Sequence, residues 1–401
     1  MKLVEPLVTW QPEIAAIRRD IHAHPELAYE EFRTADVVAA QLESWGIPIH
    51  RGLGVTGVVG TIQGQAGPGG AIGLRADMDA LPMQESNTFE HASKHSGKMH
   101  ACGHDGHTAM LLAAARYLAQ NRNFAGTVYV IFQPAEEGFS GAKRMIDDGL
   151  FDLFPMSAVF GMHNWPGMPA GSFGIIPGPI MGGSNNFEIT IEGKGAHAAM
   201  PNLGHDPIMA SVQLVQSLQT TITRNLDPLE PAVLSVTQIH SGTADNVIPD
   251  IAEIRGTVRT LSEEALDLIE QRMGEIIEHT AKAFNCTSKF IFSRKYPPTV
   301  NHPKEAALCA EVARDIVGTD MVFQDIRPSM GAEDFAFMLK EIPGCYLWIG
   351  NGDGDHRSKG HGLGPCTLHN GSYDFNDNLL PIGASFWVEL AKRWLAAQAQ
   401  I

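Results

Sequence analysis

Apolar positions along this chain change period in a way that maps its elements. The stretch "QPEIAAIRRDIHAHPEL" spaces Ile14, Ile17 and Ile21 on one helical face, and Pro25 marks its end. "RTADVVAAQLESWG" predicts a second helix closed by Gly46. "GGAIGLRADMDALP" then gives a buried strand from Ala71 to Arg75 that runs into an acidic loop. The small and apolar residues of "HTAMLLAAARYLAQ" predict a helix. "GTVYVIFQPAEEG" is a buried strand ending in a carboxylate-bearing loop, and "SAVFGMHNWPG" repeats that arrangement with His163. Apolar strands alternating with helices predict an α/β fold with a mostly parallel sheet covered on both faces.

The pattern changes in the middle of the chain. "NFEITIEGKG" alternates Phe187, Ile189 and Ile191 with Glu188, Thr190 and Glu192, which suits a sheet with one wet face. A helix follows in "HDPIMASVQLVQSLQTTI", with Asp206 as N-cap and Pro207 at its first position. Strands at "AVLSVTQIH" and "IAEIRGTVRT", the long helix "SEEALDLIEQRMGEIIEHTAKAF" and the strand "TSKFIFS" complete a β-α-β-β-α-β order. The expected organisation is a catalytic domain from 1–183 and 295–401. Residues 184–294 form an inserted α+β, ferredoxin-like domain serving as lid and dimerisation surface. Gly182 and Gly183 supply flexible backbone at one crossing, and Pro297 and Pro298 stiffen the region after the other.

Composition narrows the function. At 401 residues the chain exceeds the usual size of a single core, in keeping with two domains. Hydrophobic residues make up 44% and charged residues 18%, as in an ordinary soluble globular protein. A formal net charge of −16 argues against nucleic-acid binding, which needs clustered Lys and Arg. No run of about 18 apolar residues predicts a membrane span. The N-terminus shows no apolar signal-peptide core before Glu5 and Pro6. Five scattered cysteines, an odd number, point to free thiols and a cytoplasmic location.

The chemistry concentrates in "MHACGHDGHT", where His100, Cys102, His104 and His107 crowd around Asp105. Such a cluster binds metal, builds a thiol nucleophile, or is an accident of a polar loop. Other acidic and imidazole groups follow strands: Asp77 and Asp79 in "RADMDALP", Glu136 and Glu137 in "FQPAEEG", and His163 in "GMHNWPG". Near the C-terminus, "KGHGLG" offers His361 and "CTLHNGSYDFND" offers His369. Loops at the carboxyl ends of strands in an open α/β sheet converge on one site. Thiolate, imidazole and carboxylate together suit Zn²⁺ or another first-row divalent ion, and a pair of ions would use about this many groups.

"MHACGHDGH", "FQPAEEGFSGAKRMIDDG", "GMHNWPG", "GKGAHAAMP" and "SMGAEDFAFML" together resemble the M20 family of metallopeptidases and amidohydrolases. They are most similar to its hippurate hydrolase and N-acyl-amino-acid amidohydrolase branch. The likeness runs from "HAHPELAYEE" to "LHNGSYDFND", nearly the whole chain. It implies two divalent ions (Zn, Mn, Co or Ni) held by Cys102, His104, Glu137, His163 and His369, with Cys102 the first choice as bridge. His369 is preferred over His361 because "LHN" before "YDFND" matches the family. Glu136 matches the general base, and Asp79 the aspartate that orients a ligand or that base. Asp77 stands where other relatives carry a metal-binding histidine. His197 in "GKGAHAAMP" is implied to reach a substrate across a dimer interface, stabilising the oxyanion or holding a carboxylate. Asn246 and Arg259 are secondary candidates for that carboxylate, and His22 is read as structural. The implied reaction cleaves an N-acyl amino acid into a carboxylic acid and a free amino acid, in a homodimer or larger homo-oligomer. Two rival classes stand beside it: a cysteine hydrolase using Cys102 as nucleophile, and a non-catalytic small-molecule binder on the same fold.

Overall fold

A computed structural model describes residues 1–398 and divides the chain into two compact units. The first comprises Met1–Gly178, Val300–Arg327 and the chain from Asp334 onward; the second comprises Pro179–Thr299 and Pro328–Glu333.

An eight-stranded sheet organises the first unit. Its centre is parallel: Ala71–Asp77 lies between Thr127–Gln133 and Ala158–Pro166, and Ala158–Pro166 pairs in turn with Gly344–Gly352. Gly57–Gln63 and Ile49–Leu53 extend one side antiparallel, and the short strands Phe173–Gly174 and Val322–Phe323 finish the other. Six of the seven residues of Ala71–Asp77 are buried, as a strand covered on both faces requires. Helix His104–Gln120 packs against Leu380–Gln398 and Gln11–Ala23 and is buried along most of its length. That helix starts three residues earlier than its apolar pattern suggests. His104 and Asp105 therefore ride on its first turn, where an acidic residue is favoured by the helix dipole.

In the second unit, a four-stranded antiparallel sheet runs in the order Ala232–Ser241, Ile251–Thr260, Ser184–Glu192, Thr287–Tyr296. Phe187, Ile189 and Ile191 are buried while Glu188 and Glu192 are exposed, so period-two alternation decides which face meets the core. That core includes Leu214 and Leu218 of helix Pro207–Thr220 and Ile269, Met273 and Ile277 of helix Glu263–Ala283. Asp206 caps the first helix by accepting from the Ile208 and Met209 amides at 2.8 and 3.3 Å. Two features of this unit have no counterpart in the periodicity. One is the ribbon formed by Ala196–His197 and Val247–Ile248. The other is the segment Pro328–Glu333, where Ser329 donates its amide to the Ile180 carbonyl. Among the described residues no helix is long and apolar enough to cross a membrane.

Candidate active site

Loops from three adjacent parallel strands meet at one place in the first unit. Ala71–Asp77 ends in Asp77 and leads to Asp79, Thr127–Gln133 leads to Glu136 and Glu137, and Ala158–Pro166 carries His163. Cys102 and His104 come from the entry of helix His104–Gln120, where Gly103 adopts φ 94°. A Cβ at Gly103 would lie 2.2 Å from Asn164 Nδ2, so only glycine fits this turn.

The donor atoms of Cys102, His104 and His163 lie within 4.8 Å of one another. The same limit encloses Cys102, Glu137 and His369, and also His104, Glu136 and Glu137. The five candidate ligands and Glu136 thus form one connected cluster. Cys102 Sγ is 3.3 Å from His163 Nε2, and His369 Nε2 is 3.2 Å from Glu137 Oε1. His163 Nδ1–H donates to the Asn164 carbonyl at 2.6 Å, which leaves Nε2 with its lone pair toward the cluster. His369 sits in the left-handed region at φ 58°, a conformation that costs energy for a side-chain-bearing residue and recurs at functional sites. His361 lies outside the cluster, donating Nε2–H to Asp374 at 3.0 Å.

Both ring nitrogens of His104 are buried without a hydrogen-bond partner, and Glu137 Oε1 is buried with the His369 ring nitrogen 3.2 Å away as its neighbour. His104 Nδ1 stands 3.3 Å from Asp79 Oδ1, and its Nε2 3.8 Å from Asp77 Oδ2, close enough for attraction but not aligned as hydrogen bonds. Buried polar atoms left open in this way are costly. Thiol, imidazole and carboxylate donors around them fit a first-row divalent cation.

Burial and the neighbouring charges set the electrostatics of the cluster. Burial raises the Cys102 thiol pKa, and Glu137, Glu136 and Asp77 push it further up. Burial opposes charge on His104, yet Asp77 and Asp79 raise its pKa to about 10. Burial also acts to raise Glu137, but His369 and His104 outweigh it and lower the carboxylate. His163 is lowered, first by burial and then by His107.

The neighbouring acids do other work. Asp79 accepts from the Glu136 and Glu137 amides at 3.0 and 2.9 Å, so it holds the backbone of the loop that presents both carboxylates. Asp77 accepts from His107 Nδ1–H at 2.6 Å and from Arg75 at 2.7 Å. His107 Nε2 in turn accepts from the Asn164 amide at 2.9 Å. Asn164 also donates from Nδ2 to the Cys102 carbonyl at 2.6 Å, while Tyr373 O–H donates to Asn164 Oδ1 at 2.7 Å. His107, Asn164 and Tyr373 therefore pin the segments carrying Cys102 and His163 together, a role that no spacing in the sequence discloses.

Within the second unit, His197 is exposed on the short ribbon, where its Nδ1 accepts from the Ala199 amide at 3.1 Å. The Ala198 amide donates to the Asn246 carbonyl at 3.0 Å, so His197 and Asn246 occupy one surface feature. Arg259 lies half-buried on Ile251–Thr260 opposite Val233, and burial lowers its pKa.

Comparison with known proteins defines the class. Residues 73–393 match Peptidase family M20/M25/M40, and the chain belongs to this family. It is an amidohydrolase of a metal-dependent family whose peptidases bind two divalent ions. The hippurate hydrolase of Campylobacter jejuni is 39% identical over 395 residues, covering 98% of this chain and 100% of that protein. The N-acetyl-L-cysteine deacetylase of Bacillus subtilis is 39% identical over 390 residues, covering 97% of this chain and 90% of that one. Among solved structures, a putative aminohydrolase from methicillin-resistant Staphylococcus aureus superposes with TM-score 0.91 at 31% identity, covering 98% and 99% of the two chains. A dinuclear metal binding peptidase of the M20 family from Bacillus subtilis gives TM-score 0.84 at 34% identity over 97% and 99%.

Proposed function

We propose that this enzyme hydrolyses the amide bond of N-acyl amino acids, hippurate-like or N-acetyl, releasing a carboxylic acid and a free amino acid. Cys102, His104, Glu137, His163 and His369 would hold two divalent ions, with Zn, Mn, Co and Ni as candidates. One observation carries the reading: both ring nitrogens of His104 are buried without a hydrogen-bond partner inside a single connected cluster of thiol, imidazole and carboxylate groups that includes Glu136.

When bound, the ions supply Lewis acidity and lower the pKa of water. Glu136, part of the same cluster and held at its amide by Asp79, takes the proton from the attacking water. After the tetrahedral carbon forms, Glu136 returns that proton to the departing nitrogen, so acid and base are one carboxyl group. Asp79 keeps Glu136 and Glu137 in register, which lets one act on the proton while the other stays a ligand.

The inserted segment 184–294 serves as lid and dimerisation domain on this reading. His197 serves the oxyanion or the substrate carboxylate, with Asn246 and Arg259 as further carboxylate contacts, and it acts in the partner's site of a homodimer. Exposed Met200, Leu203, Ile208, Met209 and Val212 in the same unit support contact with a second copy. Mixing His197→Ala with Glu136→Gln protein tests this, since a mixed dimer regains one working site if His197 acts across the interface. The cytoplasm is the proposed location, supported by the free state of all five cysteines.

A Cys102 nucleophile would give activity that survives a chelator and is lost on thiol alkylation, the opposite of the metal-dependent reading. The deciding experiment is Glu136→Gln. Turnover of N-acetyl and N-benzoyl amino acids should fall by about 10² or more with metal content unchanged. Full turnover in that variant would remove Glu136 from the mechanism.

A further inference from the structure

The loop carrying Glu136 and Glu137 is held at three consecutive amides, and only two of them belong to Asp79. The third, from Ala135, donates to Glu31 Oε1 at 2.9 Å. Glu31 is fully buried, and its other oxygen accepts from Thr56 Oγ1–H at 2.7 Å. It lies at the N-cap of helix Phe32–Ser44, yet its side chain makes no cap hydrogen bond there. The carboxylate is therefore turned away from its own helix and spent on the loop.

Ala135 needs that restraint. It sits at φ 56° and ψ 42°, in the left-handed region that a residue with a Cβ occupies at a cost and keeps only when its surroundings enforce it. Two residues before Glu31, Tyr29 O–H donates to the Phe139 carbonyl at 2.9 Å, and the two rings meet edge to face. The segment from Tyr29 to Glu31 thus grips the loop on both sides of the Glu136–Glu137 pair.

We propose that Glu31 is a positioning residue for amide hydrolysis, holding the Ala135 amide so that the Glu136 side chain projects at the angle the reaction needs. The proposal rests on Glu136 being the acid–base group. Glu31 touches neither substrate nor reacting atoms; it acts through the backbone of Ala135. Asp79 holds the amides of both Glu136 and Glu137, so loss of Glu31 frees only Ala135, the residue directly before the base and one further from the ligand.

The test compares Glu31→Ala, Glu31→Asp and Glu31→Gln in the metal-loaded enzyme, reading kcat, KM, metal content by elemental analysis, and folding by circular dichroism. Asp keeps the carboxyl group but is one methylene too short to reach Ala135, whereas the Gln carboxamide oxygen still accepts that amide. Glu31→Ala and Glu31→Asp should lose about 10- to 100-fold in kcat with KM and bound metal unchanged, as expected for a misplaced catalytic group. Glu31→Gln should stay within about threefold of the parent in kcat. If the Ala variant fails to fold, the Asp and Gln pair still decides. Undiminished kcat in Glu31→Asp, or a Gln variant as impaired as Asp, overturns the proposal. A Glu136→Gln control separates the two readings: if it is fully active, the acid–base assignment has failed, and if it is inactive while Glu31→Asp is unimpaired, only the positioning role has failed.

Discussion

Two buried polar clusters meet at the start of helix His104–Gln120, and they differ in how their hydrogen bonds close. Arg18 donates to Asp105 at 3.3 Å, to Asp374 at 3.0 Å and to Asp377 at 2.8 Å. His22 donates from Nδ1 to Asp105 at 2.9 Å and from Nε2 to Glu85 at 3.2 Å. Each cation there faces carboxylates, although Asp105 Oδ1 and both nitrogens of the adjacent His100 find no protein partner. In the second cluster, one residue earlier along the helix, both nitrogens of His104 lie open among the candidate ligands, and Glu137 Oε1 has only the His369 ring beside it. Both combine buried histidine with carboxylates, although the second adds Cys102 and the exposed His369. A cluster whose charges are matched inside the protein is scaffold, and one whose donors converge without a partner is built for a cation from outside.

The largest effect that could break this distinction is on stability. His22→Ala leaves Glu85 buried without its cation and Asp105 with Arg18 alone, and should cost about 3–5 kcal/mol in chemical denaturation. Metal content of the folded variant should match the parent; a parallel loss of metal would show that the clusters are not separable.

Ion binding gives the converse. Adding divalent ion to the stripped protein at about 100 times its dissociation constant should stabilise it by about 2.7 kcal/mol, seen as a higher melting temperature. The same increment should survive in His22→Ala and vanish in a Glu137→Gln, His163→Ala double variant. A shift independent of Glu137 and His163 would place the ion elsewhere.

The two C-terminal histidines sharpen the boundary further. His369→Ala should weaken metal affinity by about tenfold or more in a calorimetric titration, whereas His361→Ala should leave it alone because His361 belongs to Asp374. The reverse result would exchange their roles.

The smallest effect per step is the pH dependence of the scaffold, read one pH unit at a time. Burial opposes a charged His22, but Asp105 and Glu85 raise its pKa from 6.5 to about 10. Between those values the folded state holds a proton that the unfolded state has released. The contribution is therefore complete below 6.5 and is lost as pH rises toward about 10, with a slope of at most about 1.4 kcal/mol per pH unit. Denaturation across that window should show the slope in the parent and a shallower one in His22→Ala. An unchanged slope would mean that His22 is neutral in the fold.

Local pattern made most of the architecture readable. The alternation of Phe187, Ile189 and Ile191, the cap at Asp206 and the apolar strand from Ala71 all depend on neighbours a few residues away, so periodicity reports them directly. The types of site residue were readable for a related reason: cysteine, histidine and paired carboxylates in short loops after strands carry their chemistry in their identity. Which of them are free to act is another matter. Asp77 and Asp79 look equivalent in "RADMDALP", yet Asp77 is taken up by His107 and Arg75 while Asp79 holds the loop amides. Glu31 and His22 stand together in "HAHPELAYEE" with nothing local to separate a loop clamp from a buried cation. Asn164 gains its place through Tyr373, 209 positions away. The sequence by itself determined which elements form and which chemical groups are present. Only the tertiary structure decided which buried groups neutralise one another and which are left open, because that depends on distances between residues that no local periodicity encodes.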